Sequence, residues 1–365
     1  MISVFCSILI FSFVVSLIFT KICIHLSYQI GMLDVPGRLL RKNHIQSTPL
    51  LGGAAVFTSF FVSIFFSLFC THTLHTALSD RFPNLLPYLP GILLQSKKLG
   101  LIFLGGLLVL LAGLKDDCYG MNPSTKLSIL FLVALLLFYL NIRITLFIAI
   151  PWVSFFLTLC WILFLTNAFN LLDNMNGLSS GTALSCSVVL FLVAIYLREF
   201  FIAFYLCAFM GALFGFMIFN FPRAHIFLGD SGALFIGYNL AVVTILESFF
   251  VAGKSNVLAV FMPAFIFALP FYDTLSVIVI RLKNGKSIFQ GDLNHFSHRL
   301  VRAGYSKPGA VLIIHALAFL TGITSLCLFL FPWISYAIPP FLFLLTMGAL
   351  FLTEILLTKI KGHSS

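Results

Sequence analysis

Long apolar stretches run through nearly the whole chain, and their length limits the fold more than any other feature of the sequence. A helix needs about 20 apolar residues to cross a lipid bilayer, and about eleven stretches approach that length. They lie at residues 2–26, 51–70, 99–114, 126–141, 152–170, 177–197, 200–219, 232–252, 256–280, 309–330 and 332–357. Only 9% of the 365 residues are charged, against about 25% in soluble proteins. The sequence therefore predicts an all-α, polytopic transmembrane helical protein with about eleven spans, in which residues 1–365 form a single domain.

The basic residues divide unevenly between the two sides of this predicted topology. If the amino terminus lies outside, 15 of the 21 Lys and Arg residues fall on one side. The other side has Arg81, Lys97, Lys98, Arg143, Arg198 and Lys254. Cytoplasmic loops carry an excess of Lys and Arg, so the richer side is predicted to be cytoplasmic. Membrane orientation then explains the net charge of +10, and no nucleic-acid partner is expected.

The aspartates follow the same division. Those at or near span ends on the predicted cytoplasmic side are Asp34, Asp116, Asp117, Asp173, Asp230 and Asp292. Transporters usually place ionisable groups near the middle of the bilayer, where only Glu247, Asp273 and Glu354 could lie in this chain. We expect Asp273 to pair with Arg281 close to the inner surface, so the pattern favours chemistry at the cytoplasmic surface over transport.

Two adjacent aspartates, Asp116 and Asp117, end the third predicted span, and Lys126 begins the next one. Neighbouring carboxylates repel each other unless they share a cation or a proton. We interpret the pair as a Mg²⁺ or phosphate site, with Lys126 facing a phosphate oxygen. A solvated loop that caps the next helix is the alternative.

Amide side chains crowd the inner end of the fifth predicted span. The run contains Asn167, Asn170, Asn174 and Asn176 together with the single carboxylate of Asp173. Their oxygens suit a hard cation, and amides can recognise a uracil or a sugar. The alternative is a polar helix end that satisfies free backbone groups.

A third motif covers residues 219–232, where Gly229 and Gly232 flank Asp230 and Ser231. Glycines let the backbone approach a ligand closely, and the helix that follows could direct its first amides at an anion. Such turns are also common in loops without a function.

The fourth motif lies in the longest basic loop, at residues 291–300. His295 and His298 are three residues apart and would share one face of a helix. They suit phosphate binding, with contact to lipid headgroups as the alternative, and a zinc pair lacks nearby Cys or Glu ligands.

The predicted topology places these four motifs on one side of the membrane. Aspartates for a divalent cation and Lys, Arg and His for phosphates together indicate phosphoryl transfer at the membrane surface. The sequence contains neither a Walker A loop nor a G-x-G-x-x-G fingerprint, which disfavours an ATP-driven machine or a dinucleotide enzyme.

At these residues the sequence resembles the polyprenyl-phosphate N-acetylhexosamine-1-phosphate transferase family. That family includes the enzymes that attach GlcNAc-1-phosphate to undecaprenyl phosphate and the phospho-N-acetylmuramoyl-pentapeptide transferase of peptidoglycan synthesis. The similar segments follow the family's order, which makes the match specific. They lie at residues 34–38, 48–53, 116–117, 170–177, 227–232 and 295–299.

The resemblance implies an enzyme of about eleven spans in the bacterial cytoplasmic (inner) membrane, with its active site on the cytoplasmic face. It would transfer a sugar 1-phosphate, GlcNAc-1-phosphate first among them, from a UDP-sugar to undecaprenyl phosphate and release UMP. Mg²⁺, or Mn²⁺ in its place, would be the cofactor. The product would start a lipid-linked envelope polysaccharide such as lipopolysaccharide or teichoic acid, and a homodimer is left open.

The family's functional residues carry over by position. The resemblance implies catalytic roles for Asp116, Asp117 and Asp230, and metal binding by Asp230, Asp117 and Asp173. Phe227 would stack on uracil. The full set implied to bind substrate is Lys126, Asn170, Asp173, Asn176, Phe227, His295, His298 and Arg299.

Two positions depart from the family's pattern. Asn176 stands where the family often has an acidic residue, and Ser297 occupies the middle of a pattern that commonly reads H-x-H-H. The second departure looks closer to the GlcNAc-1-phosphate branch than to the muramoyl-pentapeptide branch. A muramoyl-pentapeptide transferase and, in a different class, a lipid-linked sugar transporter remain the alternatives.

Overall fold

The computed structural model describes residues 2–35, 47–73, 96–145, 150–249, 257–287, 293–330 and 338–362. These residues are almost entirely helical. The helices are α1 (Ile2–Ile30), α2 (Gly52–Thr73), α3 (Ser96–Tyr119), α4 (Pro123–Tyr139), α5 (Pro151–Leu172), α6 (Leu178–Leu197), α7 (Phe200–Asn220), α8 (Gly229–Leu246), α9 (Met262–Ile266), α10 (Ala268–Lys283), α11 (Phe296–Arg302), α12 (Lys307–Leu330) and α13 (Ile338–Gly362). A 3₁₀ turn at Val257–Phe261 precedes α9, and two short strands, β1 (Leu33–Asp34) and β2 (Thr48–Pro49), pair antiparallel.

Eight of the described helices are long and apolar enough to cross a membrane, namely α1, α2, α3, α5, α6, α7, α8 and α12. Ala259–Ile266 and Ala268–Lys283, bent by 62°, would together make a ninth span. Helix α4 and the stretch Leu344–Leu356 of α13 are shorter apolar helices. The prediction of an all-α, multi-pass membrane protein is confirmed, while the count of about eleven spans and the cytoplasmic position of the loops stay predictions.

Some sequence expectations fall outside the described residues. These are a Pro-rich segment at 82–94, interpreted as a loop or a re-entrant piece, part of the 34–38 match, and Asp292.

Helices α7 and α8 form the centre of the bundle. Helix α8 is buried without interruption from Ser231 to Thr244, as expected for a helix that is apolar on all sides. It packs against α2, α3, α5 and α6, while α7 packs against α1, α2 and α6. The two helices therefore connect the spans that surround them.

Small residues bring α1 and α7 into close contact. The hydroxyl of Ser12 donates to the Ala208 carbonyl at 2.6 Å, and that of Ser16 donates to the Ala212 carbonyl at 2.7 Å. A Cβ atom at Gly211 would come within 2.5 Å of the Leu9 carbonyl oxygen. Small residues and interhelical hydrogen bonds are the usual means of helix association in lipid, where burial of apolar area contributes little.

The strand pair connects the amino-terminal part of the chain to the start of α8. Phe227 donates its backbone N–H to the Pro49 carbonyl at 2.8 Å, and Gly52 donates to the Phe227 carbonyl at 3.1 Å. Gly53 donates to the Leu228 carbonyl at 2.9 Å. The predicted segment 48–53 and the third motif are therefore neighbours in space, although some 175 residues of sequence separate them.

Candidate active site

The end of α3 meets the start of α8 at Asp117. Oδ1 of Asp117 accepts the backbone N–H of Asp230 at 2.8 Å, and Oδ2 accepts that of Ser231 at 3.1 Å. The first amides of a helix have no partner within the helix, and a carboxylate there also faces the positive end of the helix dipole. The close approach requires Gly113, where a Cβ atom would come within 2.5 Å of the Ser231 nitrogen.

Lys126 links two of the predicted aspartates. Helix α4 begins with Pro123, and Lys126 lies in its first turn. The ammonium group forms an ion pair with Asp116 and a second one, at 3.1 Å, with Asp230. The side chain of Lys126 is 14% exposed and that of Asp116 is 11% exposed, so their charges are poorly screened by water. The structure thus joins Asp116, Asp117, Lys126 and Asp230 in one cluster.

Asp173 follows the last residue of α5 and faces the same cluster. Burial raises the pKa of its carboxyl well above the ordinary value, and the negative charges of Asp230 and Asp117 raise the pKa further. No hydrogen bond from the described residues reaches this carboxylate. Asn170, one turn earlier, has a buried Oδ1 atom that also lacks a hydrogen-bond partner among the described residues.

The chain turns at Gly177, and the end of the amide run contacts the third motif there. Gly177 has a positive φ of 73°, and its N–H donates to Oδ1 of Asn220 at 2.6 Å. Asn220 in turn donates to the Ile226 carbonyl at 2.8 Å. Asn176 contacts the same loop, donating to the Pro222 carbonyl at 3.3 Å. Asn220, a residue of the third motif without a role in the sequence prediction, therefore connects the second motif to the third.

The histidine motif begins α11 and reaches the amide run through Ser297. The Ser297 hydroxyl donates to Oδ1 of Asn174 at 2.5 Å. His295 and His298 place their rings 6.4 Å apart. Burial, followed by the nearby imidazole of His295 and the guanidinium of Arg302, lowers the pKa of His298 below its usual value. At neutral pH His298 therefore meets a ligand chiefly as a neutral imidazole.

Arg299 contacts α13 through Glu354. Its Nε atom lies 2.5 Å from the carboxylate of Glu354, and its other nitrogens donate to the same carboxylate at 3.1 Å and to the Asn294 carbonyl at 2.6 Å. The Tyr272 hydroxyl also donates to Glu354. These contacts give Arg299 a role in holding α11 against α13, and its predicted contact with substrate stays a prediction.

Asp273, expected beside Arg281, makes its described side-chain contacts with the histidine motif. Its carboxylate lies 2.8 Å from Nδ1 of His295 and accepts the N–H of Phe296 at 2.6 Å. Phe227 is half-buried and held through its backbone. Stacking of Phe227 on a uracil stays a prediction.

The described residues include no group of three or more His, Cys, Asp or Glu side chains arranged to hold a metal ion. Both oxygens of Asp117 already accept helix amides, and Lys126 stands between Asp116 and Asp230. The carboxylate of Asp173, close enough to Asp230 to feel its charge, and the unpartnered Oδ1 of Asn170 one turn earlier remain as oxygen donors. Oxygen donors with excess negative charge are what Mg²⁺ takes, so the chemistry of the set fits the ion, while the predicted set Asp230, Asp117 and Asp173 stays a prediction.

The fold and the site define a multi-pass membrane protein with a cluster of carboxylates and a lysine at one end of the bundle. Comparison with known proteins agrees with this class. Residues 99–248 match the sequence model of glycosyl transferase family 4. This segment runs from α3 to the end of α8 and includes Asp173 and the whole cluster of Asp116, Asp117, Lys126 and Asp230. The protein is thus a multi-pass membrane protein whose central segment is similar to glycosyl transferase family 4.

The names of individual relatives agree with this family match. The chain is 27% identical over 330 residues to the probable undecaprenyl-phosphate N-acetylglucosaminyl 1-phosphate transferase of Bacillus subtilis, covering 87% of this chain and 84% of that protein. It is 28% identical over 302 residues to the decaprenyl-phosphate N-acetylglucosaminephosphotransferase of Mycobacterium tuberculosis, covering 75% and 70%. A phospho-N-acetylmuramoyl-pentapeptide-transferase of Bacillus mycoides is 33% identical over 178 residues, covering 48% and 51%. The resemblance inferred from the motifs is confirmed.

Proposed function

We propose that this protein transfers GlcNAc-1-phosphate from UDP-GlcNAc to a polyprenyl phosphate, such as undecaprenyl phosphate, and releases UMP. The observation that carries the proposal is the cluster of Asp116, Asp117, Lys126 and Asp230 at one end of the helix bundle. The names of the two relatives that cover most of the chain support the same reaction. The surplus of Lys and Arg supports a cytoplasmic position for this end, in the inner membrane of a bacterium.

In the proposed reaction an oxygen of the lipid phosphate attacks the β-phosphorus of the UDP-sugar. The new P–O bond forms while the bond to the UMP oxygen breaks, and UMP leaves with that electron pair. A phosphate monoester has a second pKa of about 6, so the attacking group is already mostly dianionic at neutral pH and needs no strong base. Catalysis then rests on positioning and electrostatics.

Residues of this chain supply both the positioning and the electrostatic stabilisation. Lys126 is held by Asp116 and Asp230, which keep its ammonium group in place to neutralise a phosphate oxygen. His298 can donate a hydrogen bond to another phosphate oxygen, because the described residues do not engage its ring in a hydrogen bond. Asp117 fixes the start of α8 and with it the carboxylate of Asp230.

Asp173 and Asp230, with Asn170, would hold Mg²⁺, which when bound supplies further neutralisation of the phosphate charges. A two-step route through an aspartyl-phosphate is the mechanistic alternative. It is disfavoured because both oxygens of Asp117 accept backbone amides and Asp116 is paired with Lys126. Trapping a covalent phospho-adduct with the UDP-sugar alone would overturn the one-step route.

The test offers purified protein undecaprenyl phosphate with either UDP-GlcNAc or UDP-MurNAc-pentapeptide, and separately measures exchange of labelled UMP into UDP-GlcNAc. We expect a GlcNAc-containing lipid diphosphate and UMP exchange, both lost in EDTA and restored by Mg²⁺. A product formed only from the pentapeptide substrate would assign the muramoyl branch instead. Absence of transfer and exchange with both substrates would overturn the proposal and favour a transporter.

A further inference from the structure

Helix α10 contacts the histidine motif through a carboxylate that the proposed reaction does not use. Asp273 is 1% exposed and His295 is 4% exposed, so their contact is closed to water. One carboxylate oxygen of Asp273 lies 2.8 Å from Nδ1 of His295. The other accepts the backbone N–H of Phe296, the first residue of α11, at 2.6 Å. A single side chain therefore holds both the imidazole and the helix that carries His298.

The contact with Asp273 favours one of the two ring nitrogens of His295 as the carrier of the hydrogen. An ionised carboxylate is an acceptor only, and Asp273 already accepts an amide hydrogen through its other oxygen. With Asp273 ionised, Nδ1 of His295 is the N–H that donates to this carboxylate. The Nε2 atom is then left for a ligand, since no hydrogen bond from the described part of the chain engages it.

Neighbouring residues of α10 support the same alignment. The ring of Tyr272 packs edge-on against Phe296 at 5.6 Å between centroids. The hydroxyl of Ser276, one turn after Tyr272, accepts a hydrogen bond from Arg299 at 3.0 Å. Because Tyr272, Asp273 and Ser276 lie on one face of α10, this face orients the first turn of α11 as a whole.

We propose that Asp273 is a positioning residue for His295. It fixes the Nδ1–H tautomer and the orientation of the ring, so that Nε2 faces the substrate phosphates. The proposal rests on the proposed function, in which His295 belongs to the substrate site. A buried ionisable side chain inside a membrane protein is costly, and positioning of His295 explains why Asp273 is present.

The test combines Asp273→Asn, His295→Gln and the double variant in the transfer assay. Asparagine keeps an acceptor for the Phe296 amide, but its NH₂ group donates, so His295 would have to accept through Nδ1 and carry its hydrogen on Nε2. We expect Asp273→Asn to lower kcat about 10–100-fold, the usual effect of losing a residue that orients a histidine ligand, with a smaller change in KM. In the His295→Gln background the same substitution should change kcat by less than about twofold, because coupled residues are not additive.

Glu199→Gln is the matched control. Glu199 also accepts a backbone amide through its carboxylate, that of Ser248 at 3.2 Å, but contacts no histidine of the described ranges. We expect this variant to keep the wild-type kcat. An equal loss from Asp273→Asn in the wild-type and His295→Gln backgrounds would show a purely structural role and overturn the proposal.

A second measurement separates this inference from the proposed function. The ¹⁵N spectrum of histidine-labelled wild-type protein in detergent reports the tautomer of His295 and requires no turnover. The spectrum of His295→Gln assigns the signal. An Nδ1–H signal is expected, and an Nε2–H tautomer in the wild-type protein would overturn the inference even if Asp273→Asn does not fold. If the wild-type protein transfers no sugar phosphate but shows Nδ1–H, the proposed function fails while the contact between Asp273 and His295 stands.

Discussion

The carboxylate of Asp117 accepts the backbone N–H of Asp230 at 2.8 Å, across 113 residues of sequence. The same carboxylate accepts the next amide, that of Ser231, at 3.1 Å. Asp117 therefore caps α8 from a different helix and sets where the side chain of Asp230 lies. The two members of the aspartate pair have different surroundings, since Asp116 pairs with Lys126.

Asp117→Ala should lower stability and activity together. Loss of a capping side chain costs about 0.5–2 kcal/mol, and a shift of about 1 Å at the start of α8 would lower transfer about 100-fold. Asp117→Asn keeps an acceptor and should recover more of the melting temperature than of the activity. Thermal unfolding in detergent and the transfer assay measure the two effects, and an unchanged melting temperature in Asp117→Ala would contradict the capping role.

Lys126→Met should remove the cation that Asp116 and Asp230 share. The two carboxylates would then repel each other, so added Mg²⁺ should stabilise the variant more than it stabilises the wild-type protein. Transfer should fall about 100–1,000-fold, the usual effect of removing one preorganised group that stabilises developing charge.

Lys115→Met provides the control for Lys126. Lys115 is exposed at the same end of α3 and should keep wild-type activity and the wild-type response to Mg²⁺. Equal losses in the two lysine variants would point to the overall charge of this surface and away from a specific role of Lys126.

Asp173→Asn should make the metal-free protein more stable while it lowers activity. Burial and the charges of Asp230 and Asp117 hold the pKa of Asp173 above its unfolded value, so folding favours the protonated form. The stabilisation of the folded state by the Asp173 side chain is fully present below the unfolded pKa of about 3.9. It is lost as the pH rises through the pKa of the folded state. At pH 7.5 in EDTA the variant should therefore melt about 2 °C or more above the wild-type protein, the equivalent of about 1 kcal/mol.

The pH dependence supplies the check on Asp173. The difference in melting temperature between the variant and the wild-type protein should shrink as the pH falls toward 4, because the wild-type carboxyl becomes protonated. Mg²⁺ at neutral pH should raise the melting temperature of the wild-type protein more than that of the variant. A variant that melts below the wild-type protein at every pH would contradict the charge repulsion.

The meeting of the motifs at one end of the bundle could be predicted from the sequence. Span length and the position of Asp116, Asp117, Asp173 and Asp230 at span ends were sufficient for this, because the spans force alternate loops to the same side. The partner of each side chain could not be predicted in this way. Asn174 and Ser297, for example, are 123 residues apart, and nothing in either segment specifies that α11 lies beside the end of α5.

The contacts of Asp273 and Arg299 could not be predicted from the sequence either. Their partners depend on the packing of α10, α11 and α13, which is determined by shape and by which helices are neighbours. One signal was present in the sequence, because an aspartate inside an apolar stretch requires a partner. Its partner is His295, rather than Arg281, and only the arrangement of the helices identifies it.

Ser297→His tests whether the departure from H-x-H-H is an adaptation of this chain. Ser297 is 1% exposed and donates to Asn174, so a third histidine would have to break this hydrogen bond and displace its neighbours. Overpacking costs about 1–3 kcal/mol, and we expect a lower melting temperature and lower transfer. Ser297→Ala, which removes only the hydrogen bond, should cost about 1 kcal/mol. A Ser297→His protein with higher activity and an unchanged melting temperature would show that the position tolerates the family's pattern, and the contact with Asn174 would then be dispensable.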